Sequence, residues 1–435
     1  MKVAQFNTFP YGGAANAAIR IHRGLQQNQI DSRFYFHRNT KSPVNDPSFE
    51  QIEFAPPKYS VFTGPIQKRV DRRREKNTYQ LYDNHLAQRP PNQETFSMAQ
   101  LPAQTRLDWQ TINADIAHLH WISFFADYPS FFGSIPSSVP LVWTLHDMNA
   151  FTGGCHYTNG CTGFKFGCGG CPQITNSGPQ DVSYWTFKTK RNSLKKKNIH
   201  VVTPSDWMRQ QAMSSNIWPA QTTFRTIRYG LDLKLFFPRN KKESRQKLGV
   251  DSDAVLIAFG AEDVNNKRKG FQHLLPALAN LKTQNKVECL VFGSGEIEPA
   301  ANAPRIHQMG YVDSVERQSL VYSAADIVVV PSREDNQPQV GLEAMACGTP
   351  VVGFDAGGIP EYVRDGATGL IANHGDEAHL ADRLSCLVDN QGARVSMGEQ
   401  ARLMVEREFE ITQQSQKYTE FYEALLEVKR RARAA

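Results

Sequence analysis

Asp335 and Glu343 stand eight positions apart in PSREDNQPQVGLEAMACGTPVVGFDAGGIPE, residues 331–361. Glu343 is set among Val340, Leu342, Ala344, Met345 and Ala346, and an acid in so apolar a stretch needs a partner. Asp335 lies on the polar stretch just before it. Two carboxylates so arranged can hold hydroxyls at opposite ends of an elongated polar ligand. In the plainer alternative, Asp335 complements a helix dipole and Glu343 pairs with a structural arginine. A cationic candidate precedes them in Asn266-Lys267-Arg268-Lys269-Gly270, where the flexible ammonium of Lys269 suits a diphosphate. His146, next to Asp147, is a third candidate, since an imidazole can hydrogen-bond a hydroxyl or help place charge.

The elements that must position these groups read as α/β. Residues 325–330 (ADIVVV) form the continuous β-branched run of a buried parallel strand. Residues 339–347 favour helix, Gly348 and Pro350 stop it, and residues 351–354 make the next strand. A loop at the carboxyl end of a parallel strand, feeding a helix, is where such proteins hold phosphates. Both halves of the chain open alike: residues 3–6 lead to Tyr11-Gly12-Gly13-Ala14 and a helix over 16–25, and residues 254–259 lead through a 260–270 loop to a helix over 271–281. Gly12 and Gly13 let the backbone approach a phosphate or acceptor closely, although any tight turn also uses glycine. Gly293 opens a comparable Gly-Ser-Gly loop after residues 289–292, and Gly357-Gly358 with Glu361 closes the same end of the sheet. Strands are expected at 115–120 and 140–145, and at 199–203 as the last of the first half. His118 and His120 end the first of these and His146 follows the second, so either of the former could line a ligand site.

At 435 residues the chain suits two domains rather than one. No run of eighteen apolar residues predicts a membrane-spanning helix. MKVAQFNTF reads as a strand, not a signal peptide, which points to the cytoplasm. The net charge of +6 gathers in residues 68–76 (KRVDRRREK) and 188–197 (KTKRNSLKKK). These runs suit anionic lipid headgroups, anionic donors or plain solvated helix faces, and no nucleic-acid module surrounds them. Residues 41–110, rich in Pro, Gln, Asn and charge, read as an insertion with helical pieces. Near the end, Tyr418, Phe421, Tyr422, Leu425 and Val428 share one helical face.

Cys155, Cys161, Cys168 and Cys171 form C-x5-C-x6-C-x2-C, with His156 beside the first. In a reducing compartment this favours structural zinc ahead of disulfides or free thiols. Four thiolates would leave no open coordination position, so such a metal would brace a loop near His146.

Asp335, seven residues, Glu343, then Ala-Met-Ala-Cys-Gly-Thr-Pro-Val-Val and a Gly-Gly loop resemble the nucleotide-sugar site of the retaining family 4 glycosyltransferases. The likeness extends over most of the chain and is strongest over residues 201–372. It implies the α/β GT-B fold, two Rossmann-like domains whose parallel sheets face an interdomain cleft. Residues 1–215 would form the acceptor-binding domain, carrying the 41–110 insertion and a 153–175 cysteine loop. Residues 216–410 would bind the nucleotide sugar, and a 411–435 helix would return to the first domain. The implied reaction moves a hexose-type sugar from a nucleotide-diphosphate donor to a glycan or lipid-linked glycan, with retention and without a cofactor. The cysteine loop and Glu334-Asp335-Asn336-Gln337-Pro338 resemble exopolysaccharide-assembly enzymes, so peripheral contact with the inner face of the membrane is expected.

By the same resemblance, Lys269 and Arg268 meet donor phosphate, Glu343 the ribose and Asp335 the sugar. His146 lies by the transferred sugar, and Gly12, Gly13, Asn336, Gln337 and Gly293 join the donor site. His146 and Asp335 are the catalytic candidates. Two departures stand out: Ala261 replaces the family's arginine, and Asp-Asn-Gln-Pro replaces its Glu-Gly-Phe-Gly. Two rival classes remain on this fold, a nucleotide-sugar epimerase and a noncatalytic sugar-nucleotide-binding subunit.

Overall fold

The computed structural model describes residues 1–37, 44–55, 64–89, 93–250, 253–298 and 302–434. The chain divides into two compact units. Met1–Pro204, Met208–Ile227 and Ser415–Ala435 make the first, and Ser205–Trp207 with Arg228–Gln414 make the second.

The first unit is built on a wholly parallel seven-stranded sheet: β1 (Lys2–Asn7), β2 (Asp31–Phe36), β3 (Phe49–Gln51), β4 (Ile116–Leu119), β5 (Leu141–Thr144), β6 (Ile199–Thr203) and β7 (Thr223–Thr226). Their spatial order is β3-β2-β1-β4-β5-β6-β7. β4, β5 and β6 are buried at every residue, because helices cover both faces of a parallel sheet. β7 corrects the expectation that residues 199–203 end this sheet, and carries it past residue 215. Its exposure alternates between open and half-buried, as on an edge strand, so Thr-Phe-Arg-Thr lacks the apolar run that marks the inner strands. β3 likewise gives the 41–110 segment a strand in the main sheet, besides the expected helix at Gly64–His85. Residues 41–43, 56–63 and 90–92 of that segment lie outside the described residues.

The helix Ile411–Ala434 seals this unit. Tyr418, Phe421 and Tyr422 enter a core with Val3, Ile21, Leu25, Ile116, Val142 and Val202, each burial worth about 1.5–3 kcal/mol. Val428 shares their helical face but is exposed, because the helix there runs beyond the core. The basic run at 188–197 is also mixed: Lys190 is fully buried while its neighbours are open.

The second unit holds β8 (Val255–Asp263), β9 (Val287–Ser294), β10 (Arg305–Gln308), β11 (Ile327–Val330), β12 (Val351–Phe354) and β13 (Gly369–Ala372), also all parallel. The order is β10-β9-β8-β11-β12-β13, that of a dinucleotide-binding sheet, with its reversal point between β8 and β11. In the first sheet the reversal falls between β1 and β4. Each unit thus has a crevice position at the carboxyl ends of two named strands. Among the described residues no helix is long and apolar enough to cross a membrane.

Candidate functional site

In the second unit, the loops after β8 and β11 press together at the reversal point. A Cβ on Gly270 would lie 1.8 Å from the Pro331 carbonyl oxygen, and its φ is +79°. Only glycine permits both the left-handed turn and this approach. The contact delivers Lys269 Nζ to Asp335 Oδ2 at 2.7 Å and Arg268 Nη1 to the same oxygen at 3.0 Å. Arg268 also donates to the Glu334 carbonyl at 3.0 Å. Burial works to raise the Asp335 pKa, but Lys269 and Arg268 override it and hold the carboxyl well below the usual range. The buried Asp335 carboxylate is thus the centre of a charge cluster with two half-buried cations.

The second glycine pair braces this cluster. Gly358 N–H donates to Asp335 O at 3.0 Å, and a Cβ on Gly357 would come within 1.9 Å of that oxygen. Asn336 Oδ1 accepts from Ser205 Oγ at 2.6 Å, and Gln337 Oε1 accepts from Tyr229 N at 2.9 Å. Glu343, on the helix Gln339–Ala346, accepts the Tyr322 hydroxyl at 2.9 Å. Glu361 accepts the N–H groups of Asp206 and Trp207 at 2.9 and 2.7 Å. Gly293 is the last residue but one of β9, with its Cβ position 2.1 Å from the Ala261 carbonyl oxygen.

Sequence reasoning missed one member of this site, Tyr362. Gln337 Nε2 and the Tyr362 hydroxyl are buried with no hydrogen-bond partner among the described residues. Buried polar groups are rarely left so, and both lie beside the Asp335 loop. Tyr362 directly follows the Gly-Gly-Ile-Pro-Glu run, which was its only sequence signal. A cavity of about 850 Å³ in this unit opens instead where Ala254, Asp326 and Pro350 precede β8, β11 and β12. That is the amino end of the sheet, where α/β folds do not place their ligands, and Asp326 there is tied to Arg245 and Lys241.

In the first unit, Gly12 (φ +96°) and Gly13 start the helix Gly13–Gln27 after β1, with open space where side chains would project. His146 and His120 face a small cavity at the ends of β5 and β4, which Trp121, Asp147 and Asn149 also line. Burial lowers the His146 pKa to about 4, against a smaller raising pull from Asp147. Asp147 is held by Trp121 Nε1 at 2.7 Å, His156 Nδ1 at 2.6 Å and Asn149 N at 2.8 Å. Lys190 reaches under the following turn, donating to Asn149 O, to Asn149 Oδ1 at 3.2 Å and to Thr152 O at 3.3 Å. Nothing in the basic run 188–197 distinguished it. His118 turns away from any acceptor role: Thr144 Oγ1 at 2.8 Å and the Tyr422 hydroxyl at 2.7 Å occupy its two nitrogens.

The four loop cysteines line one cavity of about 20 Å³ with Phe96, Phe164 and Ser183, room for one water-sized guest. All are free thiols. Cys168 Sγ accepts from Gly153 N at 3.1 Å and Cys161 Sγ from Gly163 N at 3.4 Å. Burial pushes the Cys168 thiol up to about 12. As their side chains stand, no group of three or more His, Cys, Asp or Glu among the described residues is placed to hold a metal ion.

Residues 253–390 match the family model described as Glycosyl transferases group 1. The chain is 34% identical over 190 residues to D-inositol 3-phosphate glycosyltransferase of Corynebacterium efficiens, covering 40% of this chain and 44% of that protein. It is 34% identical over 234 residues to the enzyme of that name from Saccharomonospora viridis, covering 50% and 52%. The chain thus spans about half the length of these curated relatives. Among solved structures, sucrose-phosphate synthase from Thermosynechococcus elongatus superposes with a TM-score of 0.65 at 17% identity, covering 98% of this chain and 99% of that one. HepE of Anabaena, solved with UDP and glucose, gives 0.62 at 16%, covering 98% and 100%. Such low identities speak for the fold. Residues 253–390 are thus similar to the group 1 glycosyl transferases, in a chain whose two Rossmann-like α/β units have the GT-B fold of these solved structures.

Proposed function

We propose that this protein transfers a hexose-type sugar, with retention, from a nucleotide-diphosphate donor to a glycan or lipid-linked glycan acceptor in polysaccharide assembly at the cytoplasmic face of a membrane. The observation that carries this reading is the convergence of Lys269 and Arg268 on Asp335, at the carboxyl ends of β8 and β11. Two cations on one buried carboxylate form a site that a diphosphate can take over. On donor binding, the phosphates replace Asp335 as their partner, and Asp335 is released to meet the sugar. Glu343 takes the ribose, and Asn336, Gln337 and Gly293 complete the donor pocket. The unpartnered Gln337 amide and Tyr362 hydroxyl are suited to donor oxygens. The first unit takes the acceptor, with His146 as the group that meets a sugar hydroxyl. Charge neutralisation and positioning supply the catalysis. HepE, a fold neighbour, has been solved with UDP-glucose, which makes that compound the first donor to try.

Calorimetric titration with UDP-glucose and GDP-mannose tests the reading. One of them should bind, and Lys269→Ala should weaken binding at least tenfold, since a charge-assisted contact is worth roughly 1.5–3 kcal/mol. No heat with either, or unchanged affinity in the variant, would refute it. Incubating labelled donor with and without acceptor then separates transfer from epimerisation.

The cysteine loop braces the acceptor side in this reading, with zinc drawn in when the four side chains turn toward their shared cavity. Purified protein should contain about one zinc per chain, as Cys₄ sites do; metal-free protein with an unchanged melting temperature would remove the metal.

A further inference from the structure

A line of hydrogen bonds crosses the first sheet beneath His146 and ends on a carboxylate at its far edge. His146 Nε2 lies 3.1 Å from His120 Nδ1, and His120 Nε2 lies 2.9 Å from Gln5 Oε1. Gln5 Nε2 lies 2.7 Å from Ser32 Oγ, and Ser32 Oγ lies 2.8 Å from His22 Nδ1. His22 Nε2 lies 2.9 Å from Ser48 Oγ, which lies 2.6 Å from Asp46 Oδ1. The line steps from the end of β5 to that of β4, through β1 and β2, to the turn before β3. Gln5, His22, Ser32 and His120 are each 3% exposed or less.

The direction of every proton in this line follows from its far end. Two oxygens 2.6 Å apart need a proton between them, and an ionised carboxylate only accepts. Ser48 has one hydroxyl proton, so it donates to Asp46. His22 must then donate to Ser48 through Nε2. Burial lowers the His22 pKa to about 4, so a neutral ring leaves Nδ1 as an acceptor, and Ser32 donates to it. Ser32 has no second proton, so Gln5 turns its amide nitrogen toward Ser32 and its oxygen toward His120. That oxygen only accepts, so His120 is protonated on Nε2. Burial also keeps His120 neutral. Its Nδ1 accepts, and the proton between the two rings belongs to His146 Nε2.

We propose that Gln5, with Ser32, His22, Ser48 and Asp46 behind it, is a positioning residue that locks His146 in the Nε2–H tautomer. In that tautomer Nδ1 only accepts, so a group that pairs with His146 there must donate a proton, as a hydroxyl can and a carbonyl, ether or ionised phosphate oxygen cannot. This rests on the reading of His146 as an acceptor-side residue, but the tautomer itself does not.

The test is nitrogen-15 NMR of histidine-labelled full-length protein, in which bare and protonated ring nitrogens resonate far apart. His22→Gln, His120→Gln and His146→Gln assign the signals. All three rings should be Nε2–H, Nδ1-bare tautomers. Gln5→Met should abolish the single-tautomer pattern at His120 and His146 while His22 keeps its own. Ser48→Ala, at the partly exposed end of the line, should release His22 first and tests the same logic if Gln5→Met does not fold. An Nδ1-protonated His146 in the parent protein, or ring signals unmoved in both variants, would overturn the proposal. Donor binding measured by calorimetry is a separate readout, so failure of the glycosyl-transfer reading would leave the tautomer result standing.

Discussion

The two strand-end clusters solve the same placement problem with opposite electrostatics. In the second unit, Lys269 and Arg268 form a set of full charges around the buried Asp335 carboxylate, and the two cations keep that carboxyl ionised. In the first unit, His146, His120, Gln5, Ser32 and His22 form a neutral chain, and burial keeps the imidazoles uncharged. A charged cluster is suited to an anionic ligand that can replace one of its members. A neutral chain has no such exchange to offer and is suited to holding one hydrogen-bond polarity fixed. Charge should therefore govern affinity in one unit, while proton placement governs turnover in the other.

The sharpest way to break this contrast is to remove the central acid. Asp335→Ala leaves the half-buried Lys269 and Arg268 without their shared acid, and losing hydrogen bonds between charged groups costs roughly 1.5–3 kcal/mol. Urea unfolding should show a markedly lower midpoint. Asp335→Asn should also lose stability, because it keeps the shape without the charge. The pH dependence has a definite sign. The folded-state pKa of Asp335 is depressed, so its stabilisation is fully present above the unfolded value near pH 4 and is lost as pH falls below it. In Asp335→Asn, that acid-side loss should shrink. A variant as stable as the parent at neutral pH would mean that the cluster is not a buried ionic set.

His146→Gln tests the other half. If proton placement rather than affinity is at stake, turnover should fall by about 10²-fold while calorimetric affinity for the donor nucleotide stays within error of the parent. A variant that loses nucleotide affinity and turnover in parallel would erase the distinction between the units.

A smaller effect separates the chain under His146 from the neighbouring His118 set. Tyr422→Phe removes the hydroxyl facing His118 Nδ1 and leaves a buried nitrogen unsatisfied, at about 1–3 kcal/mol. Melting temperature should drop, with nucleotide affinity unchanged and the His146 ring signals in place.

The two clusters were also unequally legible in the sequence. Asp335, Asn336, Gln337, Glu343 and the Gly-Gly loop fall within one run of residues, and the strand, turn and helix that place them have strong local signals. Lys269 joined them because Gly270 marks its own turn. What the sequence hid there was the partner choice, since the pairing of Asp335 with both cations depends on two loops 66 positions apart touching. In the first unit, Gly12, Gly13 and His146 could be read from their strand ends, but the line beneath His146 could not. Gln5, His22, Ser32, Ser48 and His120 sit on separate elements and share no spacing. Only the strand order β3-β2-β1-β4-β5 makes them neighbours. β7 was missed because an edge strand lacks the apolar run that a buried strand shows, and Lys190 because a buried ammonium is not distinguishable from a solvated one in a basic run.

Lys190 gives the finest test of the neutral side. Its ammonium is set close under the Asp147–Thr152 turn, and burial lowers its pKa to about 8, while the unfolded chain keeps a lysine near 10.4. A depressed folded-state pKa contributes stability that is fully present above the unfolded value and is lost as pH falls through the folded value. Between pH 8 and 10 the unfolded chain binds more protons than the folded one, so this residue's contribution should grow with rising pH across that window. Lys190→Met, of similar length, removes the titration together with the bonds to Asn149 and Thr152. Melting temperatures of both proteins taken in steps from pH 7 to 10 should diverge, the parent gaining on the variant toward high pH. Parallel curves would mean that Lys190 titrates alike in the folded and unfolded chain, and that the turn after His146 is held in contact with water.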